Sequence, residues 1–380
     1  MEPRETPKTS AKSGRMGAVT EKPRVPMAPT AMAMDRSSEG LEAVPKGLLR
    51  LAGGLTAGSY MIYVHPRRAM LLRRLCCRFP RPRSDGGSSE TMPYQEIVFE
   101  IRNDAAWIGI NRPEVRNAFR EQTLDEIAEA LNSTRTDPTI VAAVVYGVGG
   151  HFSAGGDFHA MMKLNKANSY MWNDRMQMVA MTCRNLPIPV IAMVEGACVG
   201  GGHELMLWCD LVVAAEDSIF GQTGARVGAC PTVGATQYIG KLIGERRAKE
   251  MIFLCKRYSG AEAADIGLAN EAVPAAELLA RVEEVVAQIK GYSSQTIRST
   301  KVSLNFDSDA LYPSWQHGME LLANIWGTEE SLEGMNAFLE KRPADFHQFR
   351  KRNRAALDAY MDDFSEGRNQ SESSRRAREG

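Results

Sequence analysis

The 380-residue chain has no excess of charge of either sign: 46 Lys+Arg stand against 46 Asp+Glu. That removes the electrostatic footprint a nucleic-acid binder needs. Cysteine is sparse and unpaired in pattern, seven residues with no Cys-x-x-Cys spacing, so neither a disulfide scaffold nor a structural zinc site is expected. Cys183, Cys198, Cys209 and Cys255 lie in apolar runs that read as core, in keeping with a reducing compartment. No long hydrophobic run is present either. The longest uncharged apolar stretch, residues 51–64, is too short to span a bilayer and is broken by Gly53, Gly54 and Gly58.

Neutrality is an average of two unlike parts. Residues 1–91 carry 16 Lys+Arg against 8 Asp+Glu and nine of the 18 prolines, whereas the remainder carries 30 against 38. The first part reads as a disordered basic extension. Its segment 48–75 has the look of a targeting peptide or surface-binding helix, but Glu2 and Glu5 sit where organelle presequences avoid acids. The expected location is therefore cytoplasmic, with mitochondrial targeting by the extension as the alternative. Ordered patterning begins just after Met92, which would serve as a natural start.

From Tyr94 the pattern is regular. Residues 97–101 and 105–110 read as strands joined at Asn103-Asp104, a hairpin. A helix follows over 121–132 with Leu124, Ile127, Ala128 and Leu131 on one face. Continuous apolar runs at 140–146 and 190–194 read as strands buried on both faces, with a helix near 170–184 between them. Gly200-Gly201-Gly202 opens a helical stretch to Cys209, and a strand follows at 211–215. The alternation predicts an α/β fold. The last third reads as helices over 246–255, 261–267, 275–290, 294–304, 311–326 and 328–341. The expected organisation is a core over 92–290, a helical region over 291–346, and a charged, flexible tail over 347–380.

Two glycine clusters carry the chemistry. Phe152-Ser153-Ala154-Gly155-Gly156-Asp157 and Gly200-Gly201-Gly202-His203-Glu204 each follow a buried strand, where ligands collect in open α/β sheets. Glycines there let backbone N–H groups face a ligand. Two such groups converging on one oxygen make an oxyanion hole suited to a thioester enolate. Phosphate cradling is the rival, but neither cluster has P-loop or G-x-G-x-x-G spacing. Glu204 is the natural acid/base beside such a carbonyl. His203, one position along the helix, reads as packing, and Asp157 as a helix cap. Met161 and Met162 are candidate pocket lining, the rest of the Met run core.

Together these stretches resemble the crotonase (enoyl-CoA hydratase/isomerase) superfamily over roughly residues 96–346. Further matches lie in Asn111-Arg112-Pro113-Glu114-Val115-Arg116-Asn117-Ala118-Phe119, Ile219-Phe220-Gly221-Gln222 and Glu333-Gly334-Met335-Asn336-Ala337-Phe338-Leu339-Glu340-Lys341-Arg342. The resemblance implies a repeated ββα spiral core with C-terminal helices for oligomerisation, in trimers or dimers of trimers. It implies an acyl-CoA thioester as substrate, with no cofactor beyond the coenzyme A that the substrate carries, and no metal. Gly156 and Gly201 would form the oxyanion hole and Glu204 would be catalytic. Arg116, Ala118, Ala154, Asp157 and His159 would contact CoA or acyl group, and Phe338 and Lys341 would close over CoA, often from a neighbouring subunit.

The sequence also departs from the family's pattern. The second glutamate of two-glutamate hydratases is replaced by Gly224, and no carboxylate follows Val227-Gly228. Wording around Phe220–Gly224 resembles instead the dihydroxynaphthoyl-CoA synthase and ring-opening hydrolase branch. Three readings follow: a hydratase-like lyase using Glu204, a C–C hydrolase or ring-closing enzyme on a cyclic or β-keto acyl-CoA, and a non-catalytic acyl-CoA-binding homologue. Cys230 lacks an assignable base.

Overall fold

The computed structural model describes residues 94–379; the basic extension over 1–91 lies outside the described residues. The chain enters through β1 (Ile97–Arg102) and β2 (Ala105–Ile110), paired antiparallel. Asn103 and Asp104 both take positive φ, 52° and 60°, the backbone of a two-residue hairpin whose twist matches the strands. From β2 the sheet turns parallel through β3 (Ala142–Gly147), β4 (Val190–Val194), β6 (Leu211–Ala215) and β9 (Glu271–Val273), giving the order β1-β2-β3-β4-β6-β9. A second sheet holds β5 (Ala197–Val199), β7 (Ile219–Gly221) and β8 (Arg257–Ser259), with β7 in the middle. This is the α/β architecture expected.

The apolar runs behave as buried parallel strands should. Ala143, Val145, Val190, Ala192, Val212 and Ala214 face the main core, while Ala142, Val144, Ile191 and Val213 face a smaller cluster. Leu278, Val282, Val285 and Val286 cover that second face. α1 (Glu121–Ser133) buries Leu124, Ile127, Ala128 and Leu131, the predicted stripe. Next come α2 (Phe158–Met161), α3 (Ser169–Asn185), α4 (Gly201–Leu207), α5 (Ala235–Ile243), α6 (Glu245–Phe253), α7 (Gly260–Asp265) and α8 (Leu278–Lys290). The last helices are α9 (Ser294–Asp309), α10 (Tyr312–Ile325), α11 (Glu329–Leu339) and α12 (His347–Glu379).

Two helices are not anticipated. Residues 347–379, read as a charged tail, form one 33-residue helix. The charges that suggest disorder belong to helix-favouring residues, and Arg354 pairs with Asp358 one turn on at 2.8 Å. α5 is not anticipated because glycines bracket its nine residues, Gly234 and Gly244 both at positive φ.

α9 and α10 fix the C-terminal layer to the core. Lys301 is buried, and its Nζ donates to the carbonyls of Cys183 (2.7 Å) and Ile188 (2.9 Å) and to Asp210 Oδ2 (2.6 Å). On α10, Trp315 stacks on Trp208 with ring centroids 4.4 Å apart. Leu322, with Trp326 just beyond the helix, is buried in the chain's own core. Leu321, the residue before Leu322, stays exposed.

Candidate active site

The two glycine clusters meet. Phe119 N–H donates to Gly155 O at 2.8 Å, and Asp157 N–H donates to Phe119 O at 2.9 Å, an isolated parallel bridge between Phe119 and Gly156. Because backbone groups alternate sides along an extended chain, this pairing turns the N–H of Gly156 away from Phe119. The Gly156 nitrogen lies beside the start of α4: a Cβ placed on Gly201 would be 3.5 Å from it. Gly200 makes the turn from β5 into α4 at φ 56°, ψ −126°, a conformation open to glycine alone. Gly155, at φ 94°, lets the chains close in, since a Cβ there would sit 2.8 Å from the Gly201 nitrogen. Among the described residues neither the Gly156 N–H nor the Gly201 N–H has an acceptor. Gly201 is the first residue of its helix, where no carbonyl lies one turn back to receive it.

Both glycines border one cavity of about 70 Å³, together with Glu204. Glu204 stands in the first turn of α4, is only 6% exposed, and accepts from the Val233 N–H at 2.8 Å. Burial against Val227, Pro231 and Val233 pushes its carboxyl up to about 8, although the N–H groups of Val233 and Ala235 pull the other way. Cys230 shares the cavity, and burial reinforced by the Glu204 charge raises its thiol. Gly224 also borders the cavity. A Cβ at Gly224 would meet the Ala229 carbonyl oxygen at 2.5 Å, so this backbone leaves no room for a side chain where the second glutamate would stand.

The remaining predicted residues fall in several places. Ala154 borders the cavity and donates its N–H to the Arg116 carbonyl at 2.9 Å. Arg116 itself is exposed and holds a left-handed backbone, φ 52°. Ala118 is buried but outside the cavity wall. Asp157 does not line the cavity: its carboxylate caps α2 through the His159 N–H at 2.9 Å and pairs with Arg112 at 2.9 Å. His159 is exposed and does not reach the acyl space, because the single turn of α2 sends Phe158 and Met161, three apart, inward. Phe338 meets the Phe158 ring edge-on at 4.9 Å within the same chain, but is itself exposed and lies outside the cavity wall. Lys341 follows α11 by two residues, exposed and left-handed.

His203 is fully buried outside the cavity wall, its Nδ1 3.1 Å from Gln222 Nε2. Burial drives its pKa down to about 3, so it is neutral. Gln222 borders the cavity, and its Oε1 has no partner among the described residues. Of the two candidate methionines Met161 lines the wall and Met162 does not. Sequence reasoning missed Trp172, Met176, Leu322 and Trp326, which complete the wall. Their helical spacing gave only a core signal; α3 and α10 converge here through tertiary packing that no local pattern records.

A wider space of about 660 Å³ opens beneath α9, but the carboxylate there, Asp210, is already held by Lys301 and the Val190 N–H. The 70 Å³ cavity joins free backbone donors to a buried acid.

Comparison with known proteins bears on the family. The enoyl-CoA hydratase/isomerase family profile matches residues 100–351. An enoyl-CoA hydratase from Mycobacterium avium subsp. paratuberculosis K-10 is 26% identical, with TM-score 0.60, covering 67% of this chain and 99% of that one. An enoyl-CoA hydratase/isomerase from Xanthobacter autotrophicus Py2 is 28% identical, with TM-score 0.59, covering 65% and 94%. A methylmalonyl-CoA decarboxylase solved with 2-nitronate-propionyl-CoA is 27% identical, with TM-score 0.60, covering 67% and 99%. Two main-chain amides freed by glycine, one on a β-bridge and one at a helix start, thus lie within a match spanning most of the described residues: the chain belongs to the enoyl-CoA hydratase/isomerase family, the crotonase superfamily.

Proposed function

We propose that this family member is a hydratase-like lyase acting on an enoyl-CoA thioester, with Glu204 as its single proton-transfer group. The observation that carries the reading is the placement of the Glu204 carboxyl in the same small cavity as the unpaired N–H groups of Gly156 and Gly201. The amides receive the thioester carbonyl oxygen and stabilise the charge that gathers there. Ionised Glu204 takes a proton from water as the water oxygen bonds to Cβ. The enolate then collapses and collects that same proton at Cα, so one carboxylate serves both steps. Arg116 and the backbone at Ala154 contact the CoA nucleotide, and Phe338 and Lys341 close over it. No metal or cofactor takes part beyond the coenzyme A of the substrate.

The test pairs binding with turnover. Glu204→Gln should lower kcat about 10²–10⁴-fold while a saturated acyl-CoA still binds, measured by crotonyl-CoA hydration and by calorimetry. An acyl-CoA nitronate, whose charged oxygens imitate the enolate, should bind wild type at least a hundredfold tighter than the matching saturated ester. Unchanged kcat in the variant removes Glu204 from the mechanism. Retained CoA-ester affinity with no turnover on enoyl or oxoacyl esters makes the chain a non-catalytic binder. A product with a newly opened dicarboxyl chain, seen by mass spectrometry, makes it a ring hydrolase.

A further inference from the structure

We infer that Cys230 is a covalent attachment site for α,β-unsaturated acyl thioesters, its thiol adding to Cβ in place of water, a reading that rests on the acyl-CoA function above. Cys230 borders the same cavity as Gly156, Gly201 and Glu204. It stands apart from the other cysteines among the described residues. Cys198, Cys209 and Cys255 each turn their thiol to a backbone carbonyl, at 3.8, 3.7 and 3.9 Å, and Cys183 bonds to the Cys209 thiol. The Cys230 thiol is only partly buried and has no hydrogen-bond partner among the described residues.

The chain holds the thiol there. Over residues 224–234 the Ala229 N–H donates to the Gly224 carbonyl at 2.9 Å, the Thr232 N–H to the Cys230 carbonyl at 3.0 Å, and the Val233 N–H to Glu204 Oε1 at 2.8 Å. The loop that orients the acid therefore also carries the thiol. A second buried group lacks a partner in this cavity. Gln222 is 1% exposed, with Nε2 turned to the Gly200 carbonyl at 3.4 Å and to His203, so its unpartnered Oε1 is left for whatever fills the space.

The step needs no further reactant. Burial and the Glu204 charge keep the thiol protonated, so sulfur becomes a nucleophile as Glu204 takes its proton. Sulfur bonds to Cβ, and the electron pair of the double bond moves through Cα to the carbonyl oxygen between the Gly156 and Gly201 amides. The enolate then recovers that proton at Cα. One S–H and one C=C bond are consumed, one S–C and one C–H bond form, and nothing leaves. The reverse path releases the ester, so the adduct holds the enzyme out of turnover without destroying it.

The test incubates the full-length protein with acryloyl-CoA, quenches in acid and weighs the intact chain by mass spectrometry. One whole ester, coenzyme A included, should be added and should map to the peptide carrying Cys230, and Cys230→Ser should take up none. Glu204→Gln should label about a hundredfold more slowly, and excess propionyl-CoA, which lacks the double bond, should protect wild type. Absence of the adduct overturns the inference, and the proposed function stands if the same protein hydrates crotonyl-CoA. An acyl group without coenzyme A, or an adduct at another cysteine, overturns it too. So does labelling that neither Glu204→Gln nor propionyl-CoA slows. Failure of propionyl-CoA to bind in calorimetry overturns both. If a variant does not fold by circular dichroism, the mapped peptide and the protection decide.

Discussion

Glu204 and His203 are neighbours on one helix, yet burial moves them in opposite directions for one reason. Desolvation disfavours the charged form, so the Glu204 carboxyl rises to about 8 and the His203 imidazole falls to about 3. Each shift has a signed consequence. Folded Glu204 keeps a proton that the unfolded chain releases near its ordinary value of 4.5. Its contribution to stability is complete below pH 4.5 and is lost as pH climbs through about 8. His203 works the other way: its contribution is complete above pH 6.5 and is lost as pH falls through about 3. If Glu204 acts as the base, kcat/KM should rise with pH along a limb centred near 8, read from initial rates. Glu204→Gln, which cannot ionise, should melt several degrees higher than wild type at pH 9 and within a degree or two of it at pH 5. A rate that falls through pH 8 would make the protonated acid the active form, and the water-activating role would go with it.

At the level of helices and strands, the firmest test concerns how α9 is moored. Lys301 carries its charge into the interior only because two carbonyls and Asp210 receive it. Lys301→Met takes the ammonium from a partly exposed carboxylate that keeps the Val190 N–H and should cost about 1–3 kcal/mol in denaturant unfolding. Adding Asp210→Asn should restore much of that loss, and a pair of purely additive effects would deny the coupling. This anchor was not legible in the sequence, where Lys301 is one basic residue in a polar helical stretch and its three acceptors lie 91 or more positions away. What was legible had a local cause. Val190–Val194 and Leu211–Ala215 match their predicted limits because a strand buried on both faces shows as an unbroken apolar run. The glycine clusters were legible because close backbone approach tolerates no Cβ. The three-residue strands β5, β7, β8 and β9 are too short for any period to register. The missing second glutamate was visible as Gly224, but its reason, the Ala229 carbonyl 2.5 Å from any Cβ, needs the folded turn.

For the molecule as a whole, the exposed apolar surface outside the active site calls for a partner. Val302, Leu304 and Phe306 on α9 are exposed by 67%, 73% and 79%, and Phe253 and Leu254 at the end of α6 by 68% and 71%. Scattered apolar residues on a surface are ordinary, but large ones this bare within one helix are not. Water gains if they are covered, and the described residues of the same chain do not cover them. A second copy of the chain is the partner to expect, and light scattering at micromolar concentration should report a homo-oligomer, a trimer or a multiple of it. Leu304→Glu with Phe306→Glu places two charges on that helix, outside the lining of the Glu204 cavity, and should shift the population to monomer while each subunit keeps its circular dichroism spectrum. The variant should still bind butyryl-CoA, because Phe338 reaches Phe158 within one chain and the acyl wall is likewise built from a single copy. A wild-type monomer would refute the association, and loss of ester binding on dissociation would show that a neighbouring subunit completes the site.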